Sequence, residues 1–220
     1  MTTATTEPTL RRSAPRGRGR PRRIDPDRIV AAGTELTLPA VTFAAVAKSL
    51  DVTQAALYKH VSGVDELRQM IAEAIFVGWD IPGCTPDAPP LPDYLLAFGR
   101  SIRELAHRHP GITPYLTRRD DTTPTMVAKI AGHHVEVASA YDLPPDTAAW
   151  LLSTIAFHCV ALGDTIYASY GQSVLPQSAR DAAPPADDVE SEFIWGLRAL
   201  VLGALQVCGV DAVVDGSWRR

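Results

Sequence analysis

Thr42-Phe43-Ala44-Ala45-Val46-Ala47-Lys48-Ser49-Leu50-Asp51-Val52-Thr53-Gln54-Ala55-Ala56-Leu57-Tyr58-Lys59-His60-Val61 is the stretch on which the fold turns. Phe43, Val46, Ala47 and Leu50 recur at i, i+3, i+4 and i+7, one apolar stripe along a helix. Thr42 stands before them as an N-cap whose hydroxyl accepts from free backbone amides. Thr53 repeats the start signal ahead of Gln54 to His60, and the few residues between Leu50 and Thr53 force two helices to cross steeply rather than stack as a hairpin. Asp51 occupies the turn, and aspartate is among the few residues other than glycine that tolerate a left-handed backbone.

The residue types suit a helix-turn-helix that meets DNA. Ala55 and Ala56 keep the start of the second helix slim, so that backbone and Gln54 can approach base edges in a major groove wide enough for one helix. Leu57 turns inward to Val46 and Leu50. Tyr58, Lys59 and His60 bring a phenol, an ammonium and an imidazole, groups suited to phosphate oxygens that fix register without reading sequence. Gln54 is the candidate for base readout, with Thr53 beside it at the helix start. Asp65 and Glu66 then open a further helix, where negative charge suits the dipole.

With Ser62-Gly63-Val64-Asp65-Glu66-Leu67 appended, the stretch from Ile24 to Leu67 resembles the N-terminal domain of the tetracycline-repressor (TetR) family. Beyond Leu67 the likeness is confined to length, helical content and the character of the last two helices. The resemblance implies a dimeric, all-helical, ligand-responsive transcriptional regulator, usually a repressor. By motif position it implies phosphate contacts from Thr42, Tyr58 and His60, with Gln54 and Ala55 facing bases. One departure is Val64, where the family often carries lysine, so a phosphate contact at the start of that helix is expected to be missing.

Charge is distributed unevenly. Arg11 to Arg23 holds seven arginines and no acid, whereas Ile24 to Leu67 holds three basic residues against six acidic ones, and the chain as a whole is at −4. Residues 1–23 therefore read as a disordered, arginine-rich arm, and 24–67 as a DNA-reading domain that is not itself basic. The Arg18-Gly19-Arg20-Pro21 core, followed by Arg22, is similar to the AT-hook, whose arginines enter a narrow minor groove; glycine permits close approach and proline keeps the segment extended. Each phosphate so neutralised is expected to add about −0.9 to the salt slope of binding.

Residues 68–220, about 150 in number, suffice for a second core-bearing domain. Helices are expected near 64–79, 92–108, 112–118, 124–141, 145–170 and 188–207, with prolines at most boundaries and irregular chain over 80–91 and 171–187. The fold class is all-α: a three-helix DNA-binding domain and a C-terminal helical bundle for ligand binding and dimerisation. Phe193 to Leu205 is apolar on nearly every face, so the last helix is expected to be buried all round. Trp150, Trp195, Gly196, Ala199 and Gly203 are the candidate dimer contacts, in a four-helix interface with two helices from each subunit.

Ligand-lining candidates are Phe98, Ile102, Tyr115, Met126, Ile130, His133, His134, Trp150, Phe157 and His158, a mix that suits a small, largely apolar molecule with polar groups. Neither His107 with His109 nor His133 with His134 has the i, i+4 spacing of helical zinc ligands, and the three cysteines are unpaired in spacing. No metal, cofactor, catalytic group or membrane span is expected, and the location is cytoplasmic. The partners expected are a pseudo-palindromic DNA operator, a small-molecule effector and a second copy of the chain. A different class stays open: a helical enzyme or small-molecule binding protein whose helix-turn-helix serves protein contacts.

Overall fold

A computed structural model describes residues 24–84, 88–118, 120–171, 186–211, 214 and 216–219; of residues 163–171, 186–189, 217 and 219 it describes the backbone alone. The arm, with Arg18, Arg20 and Arg22, lies outside the described residues, as does most of the irregular 171–187 stretch. Among the described residues the chain is all-helical. The helices are α1 (Pro26–Thr34), α2 (Phe43–Leu50), α3 (Gln54–Leu57), α4 (Val64–Val77), α5 (Leu91–Arg108), α6 (Thr113–Thr117), α7 (Pro124–Ala140), α8 (Pro145–Gly171) and α9 (Ala186–Val207), with short 3-10 turns at Leu38–Ala40 and Gly216–Arg219.

Helix starts are written into the sequence. Asp25 accepts from Arg28 N–H at 2.9 Å, Thr42 from Ala45 N–H at 3.1 Å and Thr123 from Met126 N–H at 3.3 Å, with Pro26 and Pro124 filling first-turn positions that have no partner for an amide. Asp51 ends α2 at φ 55°, ψ 49°, the left-handed turn its side chain tolerates. Two expectations are corrected. Thr53 holds the N-cap position of α3 but its hydroxyl makes no capping bond, and α3 stops at Leu57, leaving Tyr58 to His60 in turns rather than on a helix.

Two buried clusters organise the molecule. The first packs Ile29 of α1, Val46 of α2, Leu57 and Val61 against Leu67, Ile71 and Ile75 of α4, and continues into Leu105, Ala106, Ile112 and Met126. Gly33 lets α1 cross α4 closely, since an added Cβ would lie 2.1 Å from the Ile71 side chain. The second joins Tyr94, Leu95, Phe98 and Ile102 of α5 to Leu151, Leu152 and Ile155 of α8 and Leu197, Val201 and Leu205 of α9. Trp218 returns the C-terminal turn onto this core and donates to Asp93 at 2.8 Å. On α9, Phe193, Leu197, Val201, Ala204 and Leu205 face inward, while Trp195, Gly196, Ala199 and Gly203 are exposed in the single chain.

Candidate nucleic-acid interface and ligand cavity

The head presents its candidate contacts outward. Thr42, Thr53, Gln54, Ala55, Tyr58, Lys59 and His60 are all exposed, whereas Leu57 between them is fully buried and anchors the segment. Tyr58 is 57% exposed, yet its ring stacks on Phe43 at 4.1 Å between centroids and 10° between planes. That stack holds the phenol at the start of α2, next to Thr42. The Thr42 oxygen accepts from Ala45, which leaves its hydroxyl proton for an outside acceptor. At the start of α4, where Val64 stands, Glu66 reaches back to accept from Ser62 N–H at 2.7 Å and from the Ser62 hydroxyl; these bonds hold its carboxyl below the usual carboxylate value.

Helix α4 links this surface to the rest of the chain through adjacent side chains. Arg68 donates to Val41 O at 3.1 Å, on the head, while Gln69 donates to Asp121 O at 3.2 Å, ahead of α7. At the other end of α4, Lys129 of α7 donates to the carbonyls of Phe76, Val77 and Trp79 at 3.2, 2.7 and 2.6 Å. An ammonium there satisfies acceptors that a helix end leaves open and lies at the negative pole of the dipole. A second seam joins Gly111, at φ 88°, to Pro39: a Cβ at Gly111 would lie 2.6 Å from Pro39 Cδ, so glycine serves both the backbone turn and the close approach.

A cavity of about 150 Å³ opens where α4 ends against α5, α7 and α8. Its walls include Phe76, Trp79, Ile81, Leu105, Leu116, Leu152 and Val160 together with Phe98, Ile102, Ile130, His133, His134 and Phe157, six of the residues expected from sequence. His133 meets the Tyr94 hydroxyl at 2.8 Å, and burial pushes both His133 and His134 below the ordinary histidine value, which favours the neutral rings. The indole Nε1 of Trp79 is buried with no hydrogen-bond partner.

Four of the residues expected to line a ligand site lie outside this cavity. Met126 is buried in the cluster that joins α4 to α7, and Tyr115 lines a separate polar cleft with Arg68 and Asp121. Trp150 lies on the outer face of α8, 44% exposed, and His158 sits one residue beyond the cavity-lining Phe157 without lining the cavity itself. Phe76 and Trp79 are the aromatic walls that sequence reasoning missed, beside aliphatic ones such as Ile81, Leu105 and Leu152. Their one signal is an aromatic pair three residues apart around Gly78, where α4 runs out into irregular chain.

No protein-family model matches the chain, and no curated protein matches it. Solved structures do. A variant of TetR from Acinetobacter baumannii in complex with minocycline superposes with a TM-score of 0.63 at 20% identity, over 84% of this chain and 98% of that one. Apo ActR from Streptomyces coelicolor gives 0.63 at 20% identity, covering 87% and 99%, and ActR in complex with actinorhodin gives 0.62 at 19%, covering 83% and 95%. The fold is that of the TetR regulators.

Within this TetR fold the outer faces of α8 and α9 carry apolar surface that the single chain leaves open. Trp150, Thr154, Phe157 and Ala161 run along one side of α8, with Phe157 58% exposed at the mouth of the cavity. On α9, Trp195 is 49% exposed, and a Cβ built at Gly196 or Gly203 meets nothing within 4 Å. The five residues expected at a dimer contact, Trp150, Trp195, Gly196, Ala199 and Gly203, are thus all exposed and free to meet another molecule. Among the described residues no cluster of His, Cys, Asp and Glu has metal-site geometry, and no helix is long and apolar enough to cross a membrane.

Proposed function

We propose that the protein is a dimeric, cytoplasmic transcriptional regulator that represses from a pseudo-palindromic operator and leaves it when a small, largely apolar molecule fills the cavity. Residues 24–67 read the DNA, with Gln54 and Ala55 at base edges and Thr42, Thr53, Tyr58, Lys59 and His60 on the backbone. Residues 68–220 bind the effector and pair the subunits, and the arm adds phosphate or minor-groove contact. The observation that carries this reading is the outward-facing Gln54 to His60 segment, anchored by Leu57 and by the Phe43–Tyr58 stack. Support for the effector comes from the half-open, largely apolar cavity beside the end of α4, and from TetR and ActR structures of the same fold that hold minocycline and actinorhodin. A ligand that favours one spacing of the two heads over another shifts the operator equilibrium by that difference.

A mobility-shift titration with DNA flanking the protein's own gene tests the reading. Saturable, sequence-dependent binding is expected, with Tyr58→Ala weakening binding about tenfold on every sequence and Gln54→Ala changing the ranking among operator variants. Equal loss on all sequences for Gln54→Ala removes base reading from that residue. Absence of any sequence-dependent shift removes the regulator.

A further inference from the structure

Resting on the reading of residues 24–67 as a DNA-reading head, we infer that the core of each half-site is two neighbouring A·T base pairs, an adenine read by the Gln54 amide and a thymine methyl met by Ala55. The exposed side chains of the reading segment are Thr53, Gln54, Ala55, Tyr58, Lys59 and His60. Three of them stand away from its leading turn. Tyr58 is stacked on Phe43 of α2 at 4.1 Å, while Lys59 and His60 lie beyond the end of α3, where His60 N–H donates to Leu57 O at 2.9 Å. Thr53, Gln54 and Ala55 are left at the leading turn, with Ala56 half-buried and Leu57 fully buried behind them.

Polarity selects the base opposite Gln54. A carboxamide sets one donor beside one acceptor, and in the major groove adenine alone sets an N7 acceptor beside an N6 donor. Guanine offers two acceptors there, so the amide oxygen would be left against it without a donor. The side chains that usually read guanine are Arg and Lys, and the leading turn has neither. Arg28 lies on α1, Lys48 in the last turn of α2 and Lys59 past the end of α3.

Apolarity selects the next base. Ala55 offers a methyl and nothing else, and the one apolar group on the base edges of the major groove is the thymine C5-methyl. Successive helical residues rise about 1.5 Å and base pairs stack about 3.4 Å apart, so two adjacent side chains on a four-residue helix serve neighbouring pairs. Thr53 makes no capping bond, but a hydroxyl donates or accepts and serves any base, so it adds affinity without choosing.

Selection from a library of random DNA duplexes by the full-length protein, followed by mobility shifts on the duplexes recovered, tests this. Half-sites with adjacent A·T pairs at their core are expected. Replacing the read adenine by guanine, or by 7-deazaadenine, which lacks N7, should weaken binding about tenfold, and replacing the thymine by uracil, which lacks only the methyl, about fourfold. Gln54→Ala should lose the adenine effects and keep the uracil effect, and Ala55→Gly should do the reverse; these are ratios within one variant, which a general loss of stability does not move. Half-sites whose fixed bases are G·C pairs, a guanine preference that disappears in Lys59→Ala, adenine effects unchanged in Gln54→Ala, or uracil bound as tightly as thymine overturns the A·T reading and leaves a sequence-specific regulator standing. A library that yields no common sequence removes the DNA-reading head, and this inference with it.

Discussion

The head closes its own polar accounts, and the body does not. In the head, Asp25 and Thr42 cap their helices, Glu66 takes both donors of Ser62, and Arg68 reaches the carbonyl of Val41. Its large exposed aromatic, Tyr58, is stacked and pointed outward. In the body, Trp79 Nε1 and His158 Nε2 are buried without partners, and Trp150, Phe157 and Trp195 stand exposed. On the proposed function, a surface that meets many DNA sequences and selects among them gains from being rigid before contact. On the same proposal, Trp150 and Trp195 of the body are exposed where a second chain would cover them, while each buried unpaired group costs about 1–3 kcal/mol.

If that difference is real, its largest consequence lies on α9. Trp195→Asp places a charge on the face proposed to meet the second subunit, and operator affinity is expected to fall more than a hundredfold while the fold persists. Light scattering beside a mobility shift checks it, and a stable monomer with undiminished operator affinity would break the comparison by showing the body complete on its own. A smaller effect is expected at the joint. Lys129→Met strips three carbonyls at the end of α4 of their donor, and a loss of about 1–3 kcal/mol should appear in urea unfolding. The same substitution should blunt the response of operator binding to effector, since it cuts a direct tie between α7 and α4.

The smallest effect is a pH slope. His109, His133 and His134, all in the body, have values lowered from 6.5 chiefly by burial, with Arg108 adding to the effect at His109. Below 6.5 the unfolded chain takes up protons that the folded one resists, so stability is full above 6.5 and declines as pH falls through the lowered values. Urea midpoints at pH 7.5 and 5.5 should differ in that direction, and a double His133→Gln, His134→Gln variant should flatten most of the difference. An unaltered slope would place the acid sensitivity outside the cavity.

The same contrast governs what the sequence made readable. Asp51 and Thr42 act through their immediate neighbours, so a left-handed turn and a helix cap followed from residue type and position alone. Prolines near the starts of α5, α6, α7 and α8 marked those boundaries for the same local reason. The cavity was only half legible. Period 3.6 tells which face of α7 or α8 is apolar, but whether Met126 seals a core or His133 walls a void depends on the distance between helices far apart in the chain. Trp79 was missed because the helix expected over 64–79 ends at Val77, and the place of its ring depends on Phe76 and on Phe98 of another helix. The shortness of α3 was missed because Tyr58 to His60 carry good helix chemistry, yet bonds such as His60 N–H to Leu57 O at 2.9 Å close into turns.

The buried cluster that begins at Ile29 does not end with the reading head: it runs through Ile71 and Ile75 to Leu105, Ile112 and Met126, and the Gly111–Pro39 seam closes it from outside. The head is therefore not an exchangeable cassette. A chimera cut after Leu67 would separate side chains that share one core, and a graft that keeps α4 must also match the turn before α6. Substitution at Gln54 and its exposed neighbours touches none of that seam, which on the proposed function makes it the shortest route by which such a chain would acquire a new operator.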